Sequence, residues 1–399
     1  MKIVMIGTTD ILGGAAQVGW NIKQELERSG HSVSLFVADK QSDDPNVHII
    51  PRSYIRKRLG FLLGIETMVQ TDWLLKTEEF KKADIIHCHN LHGRYFNLET
   101  LKKMSQLKPV VWTLHDEWAI TPHCACTMQS EDMKYGLYTC PSIETPPRLL
   151  WNNTRWLARW KTQIYQHAKL HIVVPSRWLM QRVKNTVLNK QDIQYVPNGI
   201  NTGIFMQTDK QEARARLGLP KNKRLILSLA DNVQDNPWKG WKYTEAVMDH
   251  YAHDSQTAFV IVGNREAKES NERTLYRGYV QDQEQLALYY SACDALLFTS
   301  VAENLPLVVL EAASCGLPVI AFDVGGVKEA IEDRASGYIA EYRNSDDLIN
   351  GIDWLFSLEK AALNTVSKNA ARKIRETFDL AQMTTSYIEL YEKLSHPST

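Results

Sequence analysis

Two glutamates eight positions apart carry the clearest chemical signal in this 399-residue chain, in Glu303-Asn304-Leu305-Pro306-Leu307-Val308-Val309-Leu310-Glu311. Proline suits the first turn of a helix and Cys315-Gly316-Leu317-Pro318 supplies a stop, so the first carboxylate precedes a helix and the second sits in its second turn. About five residues of helical rise set them about 7–8 Å apart, at two depths of one site, which suits a long ligand. Ala295 to Ser300 and Val319 to Phe322 read as the flanking buried strands. The motif therefore lies at the carboxyl end of a strand and opens the helix leading to the next, where open α/β sheets bind ligands and where free helix N–H groups meet phosphate.

The elements that must hold those carboxylates recur along the chain. Ile3 to Ile6, Ser34 to Ala38, Ile85 to His89, Val110 to Leu114 and Ile172 to Pro175 are short apolar runs separated by helix-like stretches. The pattern restarts at Leu225 to Leu229 and continues through Phe259 to Gly263, Ala295 to Thr299 and Val319 to Phe322. Such alternation predicts parallel sheets wrapped by helices, here two of them. Turn formers in Pro197-Asn198-Gly199-Ile200-Asn201-Thr202-Gly203 mark the linker. From Ala370 on, Ile374, Phe378, Met383, Tyr387, Leu390, Tyr391 and Leu394 keep helical spacing and predict a helical tail. Two like-sized sheets joined by a linker imply a cleft that brings two substrates together.

Composition narrows the partners. Lys plus Arg equals Asp plus Glu at 46 each, so overall charge gives no reason to expect nucleic acid. No run approaches the roughly 18–20 apolar residues of a membrane span, and Met1 to Gly7 reads as a first buried strand instead of a secretory signal. Six cysteines without an export signal predict reduced thiols in a cytoplasmic protein.

Beyond the two glutamates, an ordered set of segments spans nearly the whole chain: Gly13-Gly14-Ala15, Ile85-Ile86-His87-Cys88-His89, Leu114-His115-Asp116, Val174-Pro175-Ser176, Val196-Pro197-Asn198-Gly199-Ile200, Lys239-Gly240 and Asp323-Val324-Gly325-Gly326-Val327. Together with Gly316-Leu317-Pro318-Val319-Ile320 after the glutamates, the set resembles the GT4 (group 1) retaining glycosyltransferases. The resemblance implies an α/β GT-B fold, two Rossmann-like domains facing across a cleft. The first covers 1–198 on the acceptor side and the second 199–375 with the sugar nucleotide, while a tail at 376–399 crosses back onto the first. It also implies transfer of a hexose from a nucleotide diphosphate sugar to a glycan or lipid-linked glycan in polysaccharide biosynthesis, with no cofactor or metal. UDP-glucose and UDP-galactose are the favoured donors, and the inner face of the plasma membrane is the implied place of work.

Each task of such a transfer needs its own residue type. The resemblance assigns Glu311 to the nucleotide ribose, where a carboxylate can accept two hydroxyl hydrogen bonds. Glu303 and the backbone N–H groups of Asn304 and Leu305 surround the donor hexose and diphosphate, with the helix dipole adding positive potential. Lys239, in Pro237-Trp238-Lys239-Gly240-Trp241, is placed like the lysine that neutralises the diphosphate in place of a metal ion. His115 matches the histidine that contacts the transferred sugar, and Gly13-Gly14 would let backbone amides approach phosphate or sugar. Glu303, His115 and Lys239 are thus the catalytic candidates, and Gly13, Gly14, Asn304, Leu305, Glu311 and Tyr279 the donor-binding ones. Two departures stand out: Asn-Leu replaces the usual glycines after Glu303, and the arginine expected before Lys239 is missing, with Arg265 or Arg177 as the cations that could replace it.

Three further signals leave alternatives open. His123-Cys124-Ala125-Cys126 with Cys140 offers soft ligands for zinc, set against reduced loop cysteines or an adventitious disulfide. Arg52 to Leu63, and Trp151, Arg155, Trp156, Arg159, Trp160 and Lys161, join cations to apolar residues as a segment resting on anionic lipid would, set against core packing. The rival enzyme class, a two-domain nucleotide-dependent oxidoreductase, expects a G-x-G-x-x-G turn that Gly7 to Gly14 does not supply. A non-catalytic glycan or sugar-nucleotide binding protein is the third reading.

Overall fold

A computed structural model describes residues 1–65, 68–229, 236–263 and 269–396. The chain divides into two compact units, Met1–Asn198 with Ala381–Thr399, and Gly199–Leu380. In chain order the first unit contributes β1 (Lys2–Thr9), β2 (Ser32–Asp39), β3 (Val47–Ile49), β4 (Ile85–Cys88), β5 (Val110–Thr113), β6 (Met133–Lys134), β7 (Leu137–Tyr138), β8 (Leu170–Val174) and β9 (Asp192–Tyr195). Seven of these form a parallel sheet in the order β3-β2-β1-β4-β5-β8-β9, while β6 and β7 make a small antiparallel ribbon. The second unit contributes β10 (Arg224–Leu229), β11 (Thr257–Val262), β12 (Thr274–Arg277), β13 (Ala295–Phe298), β14 (Val319–Phe322) and β15 (Gly337–Ala340), parallel in the order β12-β11-β10-β13-β14-β15.

The central strands are the apolar runs of the sequence. Every residue of β4, β5, β11, β13 and β14 is buried, as strands covered by helices on both faces must be. Of the strands that the sequence pattern does not announce, β6 and β7 form the small ribbon, and β3, β9, β12 and β15 are the four edges of the two main sheets. An edge strand has a neighbour on one side only, so Asp192-Ile193-Gln194-Tyr195 and Thr274-Leu275-Tyr276-Arg277 need no continuous apolar run.

The tail differs from expectation. It is two helices, Lys360–Thr377 and Leu380–Ser395, so the anticipated boundary at 375/376 falls inside the first of them and the division lies between Leu380 and Ala381. The break has a local cause: Ile200 N–H donates to Phe378 O at 2.9 Å and Leu380 N–H donates to Ile200 O at 2.9 Å, so extended backbone pairs with the linker there. Thr202 Oγ1 adds a bond to Asp379 Oδ2 at 2.6 Å. Downstream, Tyr387 and Tyr391 are buried in the first unit, where the Tyr387 hydroxyl lies 2.8 Å from Thr113 Oγ1 and the Tyr391 hydroxyl 2.6 Å from His87 Nδ1. Among the described residues no helix is long and apolar enough to cross a membrane.

Gly199 is the tightest point of this junction, because a Cβ there would lie 2.7 Å from Asp379 O and 2.8 Å from Leu380 Cα, both backbone atoms. Gly199→Val should therefore destabilise the chain by about 1–3 kcal/mol through overpacking. Urea unfolding followed by circular dichroism checks it, and an unchanged midpoint would mean that the junction yields without cost.

Candidate active site

In the second unit, the turn Pro237–Lys239 is stitched to the segment leaving β13. Asn236 Oδ1 accepts from Trp238 N–H at 3.0 Å, Val301 N–H donates to Trp238 O at 2.8 Å, and Thr299 Oγ1 donates to Lys239 O at 2.9 Å. Gly240 follows with φ 66°, and a Cβ there would lie 2.1 Å from Thr299 O, so only glycine admits this approach. The result brings Lys239 Nζ to 2.7 Å from Glu303 Oε1. Behind the glutamate, Gly326 N–H donates to Asn304 O at 2.6 Å, and a side chain at Gly325 would lie 2.2 Å from Glu303 O. Glu303 is thus held between two glycine turns, its carboxylate toward a cation.

The helix after the motif is Leu307–Ser314, with Pro306 as its N-cap instead of its first helical residue. Asn304 and Leu305 are buried, which leaves backbone as the part of this segment suited to a ligand. Glu311 lies one turn along the helix, partly open to the surface but enclosed on most sides. Tyr290 donates its hydroxyl proton to Glu311 Oε2 at 2.8 Å. Burial pushes the Glu311 carboxyl up to about 7, with the Tyr290 hydrogen bond acting the other way. Tyr279, just past β12, is 40% exposed. Of the cations considered for the missing arginine, Arg265 lies outside the described residues, as do positions 230–235, while Arg177 belongs to the first unit with its guanidinium 4.6 Å from the Tyr195 ring centre.

In the first unit, Gly13 caps the helix Gly14–Arg28 with φ 89°, which demands glycine, and a Cβ at either Gly13 or Gly14 would meet nothing within 4 Å. Past β5, three successive side chains are tied to three different partners. His115 Nε2 lies 2.9 Å from His89 Nδ1, Asp116 Oδ2 lies 2.8 Å from His92 Nε2, and Glu117 Oε1 accepts from Arg182 Nε at 2.7 Å. Burial lowers the His87 imidazole to about 3 and that of His115 to about 4, and it drives His89 well below its ordinary value, so all three rings are neutral near pH 7. Sequence reading includes His89 only within the segment Ile85-Ile86-His87-Cys88-His89, with no role of its own, and passes over His92, Tyr290 and Arg182. His89 and His92 had a signal, His87-x-His89-x-x-His92 directly after a strand, whereas Tyr290 and Arg182 come from remote helices with no local pattern.

The cysteines correct one expectation. Cys124 and Cys140 form a disulfide, so the chain is not wholly reduced, and Cys126 is a buried free thiol. His123 Nδ1 donates to Pro147 O at 3.0 Å. Among the described residues no group of three or more His, Cys, Asp and Glu is arranged to hold a metal ion. Trp160 and Lys161 are also buried, the ammonium of Lys161 donating to Trp118 O at 2.6 Å and Thr121 O at 3.0 Å, which takes both out of the proposed lipid-facing set.

Glu311 yields a test that needs no substrate. Its folded pKa of about 7 lies above the ordinary 4.5, so folding is favoured by the proton, and stability is lost as pH rises through 7. Glu311→Gln removes that cost, a gain on the order of 3 kcal/mol above pH 7 that disappears below the ordinary carboxyl range. Urea unfolding at several pH values checks it; equal midpoints for both proteins at pH 8 would contradict the raised pKa.

Two sequence families match the chain in succession. The model described as Glycosyltransferase Family 4 covers residues 12–203 and the one described as Glycosyl transferases group 1 covers residues 209–373. The putative colanic acid biosynthesis glycosyl transferase WcaC of Escherichia coli K12 is 23% identical over 322 residues, 78% of this chain and 76% of that protein. Among solved structures, sucrose-phosphate synthase from Thermosynechococcus elongatus is similar with a TM-score of 0.74 at 20% identity, covering 99% of both chains. Anabaena HepE, solved in complex with UDP and glucose, has a TM-score of 0.68 at 17% identity, covering 99% of this chain and all of that one at 100%. With two parallel-sheet units, a returning carboxyl-terminal helix and both family matches falling in register on them, the chain belongs to the group 1, family 4 glycosyltransferases of the GT-B fold.

Proposed function

We propose that the chain transfers a hexose, glucose or galactose, from a uridine diphosphate sugar to a glycan or lipid-linked glycan in polysaccharide biosynthesis, with retention at the anomeric carbon. The observation that carries this reading is the 2.7 Å contact of Lys239 with Glu303 just before the helix Leu307–Ser314. A cation, a carboxylate and a helix amino terminus together match a phosphorylated sugar, whose diphosphate needs positive charge and whose hydroxyls need an acceptor. The complex of HepE with UDP and glucose supports the uridine carrier and the hexose.

In this reading Lys239 and the helix amino terminus take up the charge of the departing diphosphate, Glu303 accepts from hydroxyls of the sugar, and Glu311 accepts from the ribose. Tyr279 offers an exposed ring to the base. Gly13 and Gly14 are assigned to phosphate or sugar through their backbone amides, and His115 to the transferred hexose. The bond from the anomeric carbon to the diphosphate oxygen breaks as the acceptor oxygen bonds on the same face. The acceptor proton moves to the departing phosphate oxygen. Lys239→Ala and Glu303→Gln should each lower kcat by about 100-fold or more in a folded protein. Release of UDP from UDP-glucose in the presence of acceptor, monitored with and without a chelator, tests the reading; near-normal turnover of either variant would remove these roles.

The acceptor side points to a lipid surface at the cytoplasmic face of the plasma membrane. The helix Tyr54–Leu63 exposes Tyr54, Ile55, Leu59, Leu62 and Leu63, and Trp151 Nε1 donates to Leu62 O at 3.0 Å, so two segments distant in sequence form one patch. Leu150, Trp151 and Trp156 are exposed in the second segment, and Arg56, Arg58, Arg148, Arg155 and Arg159 are exposed in or beside the two segments. Exposed apolar side chains interspersed with arginine fit an anionic bilayer. The chain should co-sediment with phosphatidylglycerol vesicles, and the pair Ile55→Glu and Leu62→Glu should release it; failure of the unaltered protein to bind such vesicles would rule the lipid surface out.

A further inference from the structure

Resting on the reading that His115 meets the transferred sugar, we infer that His89 is a positioning residue, fixing the ring plane of His115 and which of its nitrogens carries the proton. The two imidazoles are 2.9 Å apart from Nδ1 of His89 to Nε2 of His115, with their ring planes inclined by 22° and their centres 5.2 Å apart. The backbone of His89 is clamped from both sides, since its N–H donates to Ile6 O at 2.9 Å and its carbonyl accepts from Trp112 Nε1 at 2.8 Å. Beneath it, the His87 ring lies 4.2 Å away, and both nitrogens of His87 are held, Nε2 at 2.8 Å from Thr113 Oγ1 and Nδ1 at 2.6 Å from the Tyr391 hydroxyl. The carboxyl-terminal helix thus fixes the floor on which His89 rests.

The other nitrogen of His89 explains why it acts through His115 and not on substrate. Its Nε2 is buried and has no hydrogen-bond partner in the structure. A Cβ at Gly19 would come to 3.3 Å from it, so the backbone of the helix Gly14–Arg28 lies close against this edge of the ring. Both rings are neutral, so one nitrogen of the contact donates and the other accepts. An unpartnered buried lone pair is tolerated better than an unpartnered buried N–H, so the His89 proton sits on Nδ1 and is donated to His115 Nε2. His115, also neutral, then carries its own proton on Nδ1.

The experiment compares His89→Ala, His89→Asn and His115→Ala with the unaltered chain, reading kcat, donor KM and the His115 tautomer by long-range ¹⁵N–¹H NMR of ¹⁵N-histidine-labelled protein. Asparagine places an amide N–H close to the position of Nδ1 and can restore the donation. The alanine variant should lose about tenfold or more in kcat with donor KM changed less than about twofold, and its His115 should lose the single Nδ1–H tautomer; asparagine should recover most of both. A full kcat in His89→Ala while His115→Ala is inactive overturns the inference, as does a lost kcat with the His115 tautomer unchanged. A proton on His115 Nε2 in the unaltered protein also overturns it, and that measurement decides the matter if the alanine variant does not fold. Normal kcat in His115→Ala would instead defeat the sugar-contact reading, leaving the tautomer result to judge the His89–His115 link by itself.

Discussion

A parallel strand can be followed by another in its sheet only after the chain has crossed back over a sheet face, so every such strand leaves its sheet at the same edge. Both units obey this constraint throughout their main sheets, and the residues of chemical interest follow from it. Gly13 and Gly14 come after β1, His89 after β4, His115 after β5, Lys239 after β10 and Glu303 after β13. Segments separated by scores of residues meet because their strands are neighbours: β1, β4 and β5 adjoin in one sheet, β10 and β13 in the other. The His89–His115 and Lys239–Glu303 contacts are each a link between loops of adjacent strands.

Loss of water then sets the chemical character of what meets there. The histidines behind His115 are enclosed by apolar strand and helix and stay neutral, which makes the link between them a matter of proton placement rather than charge. Glu311 is pushed toward neutrality by burial, with the Tyr290 hydroxyl beside it. Glu303 instead faces the Lys239 ammonium, 2.7 Å from its Oε1. Two carboxylates eight residues apart thus have different surroundings, one beside a cation and the other beside a tyrosine hydroxyl.

The Arg182–Glu117 pair shows how far support reaches from the site. Both side chains are almost fully buried, and Glu117 also accepts from Thr127 N–H at 2.7 Å, so the loop carrying the Cys124–Cys140 disulfide is fastened to the residue two places after His115. Removing one member of such a pair leaves a buried charge uncompensated, so the fastening of this loop is costly to undo.

Much of the central architecture was legible in the chain: the apolar runs that became β1, β4, β5, β10, β11, β13 and β14, the helix opened by Pro306, and the linker at Gly199. These are local properties, since a strand buried on both faces must be apolar along its length and a helix start needs particular residues within a few positions. The edge strands, the split of the tail at Phe378-Asp379 and the union of Tyr54–Leu63 with Trp151 depended on partners far along the chain. So did the site: the types and spacing of Glu303, Glu311, Lys239 and His115 were written in the sequence, but which carboxylate holds a cation, which rises to about 7, and which histidine stands behind His115 were decided only on folding. Pairing, burial and proton position are properties of neighbours in space, and a parallel sheet draws those neighbours from crossovers that the local pattern does not record.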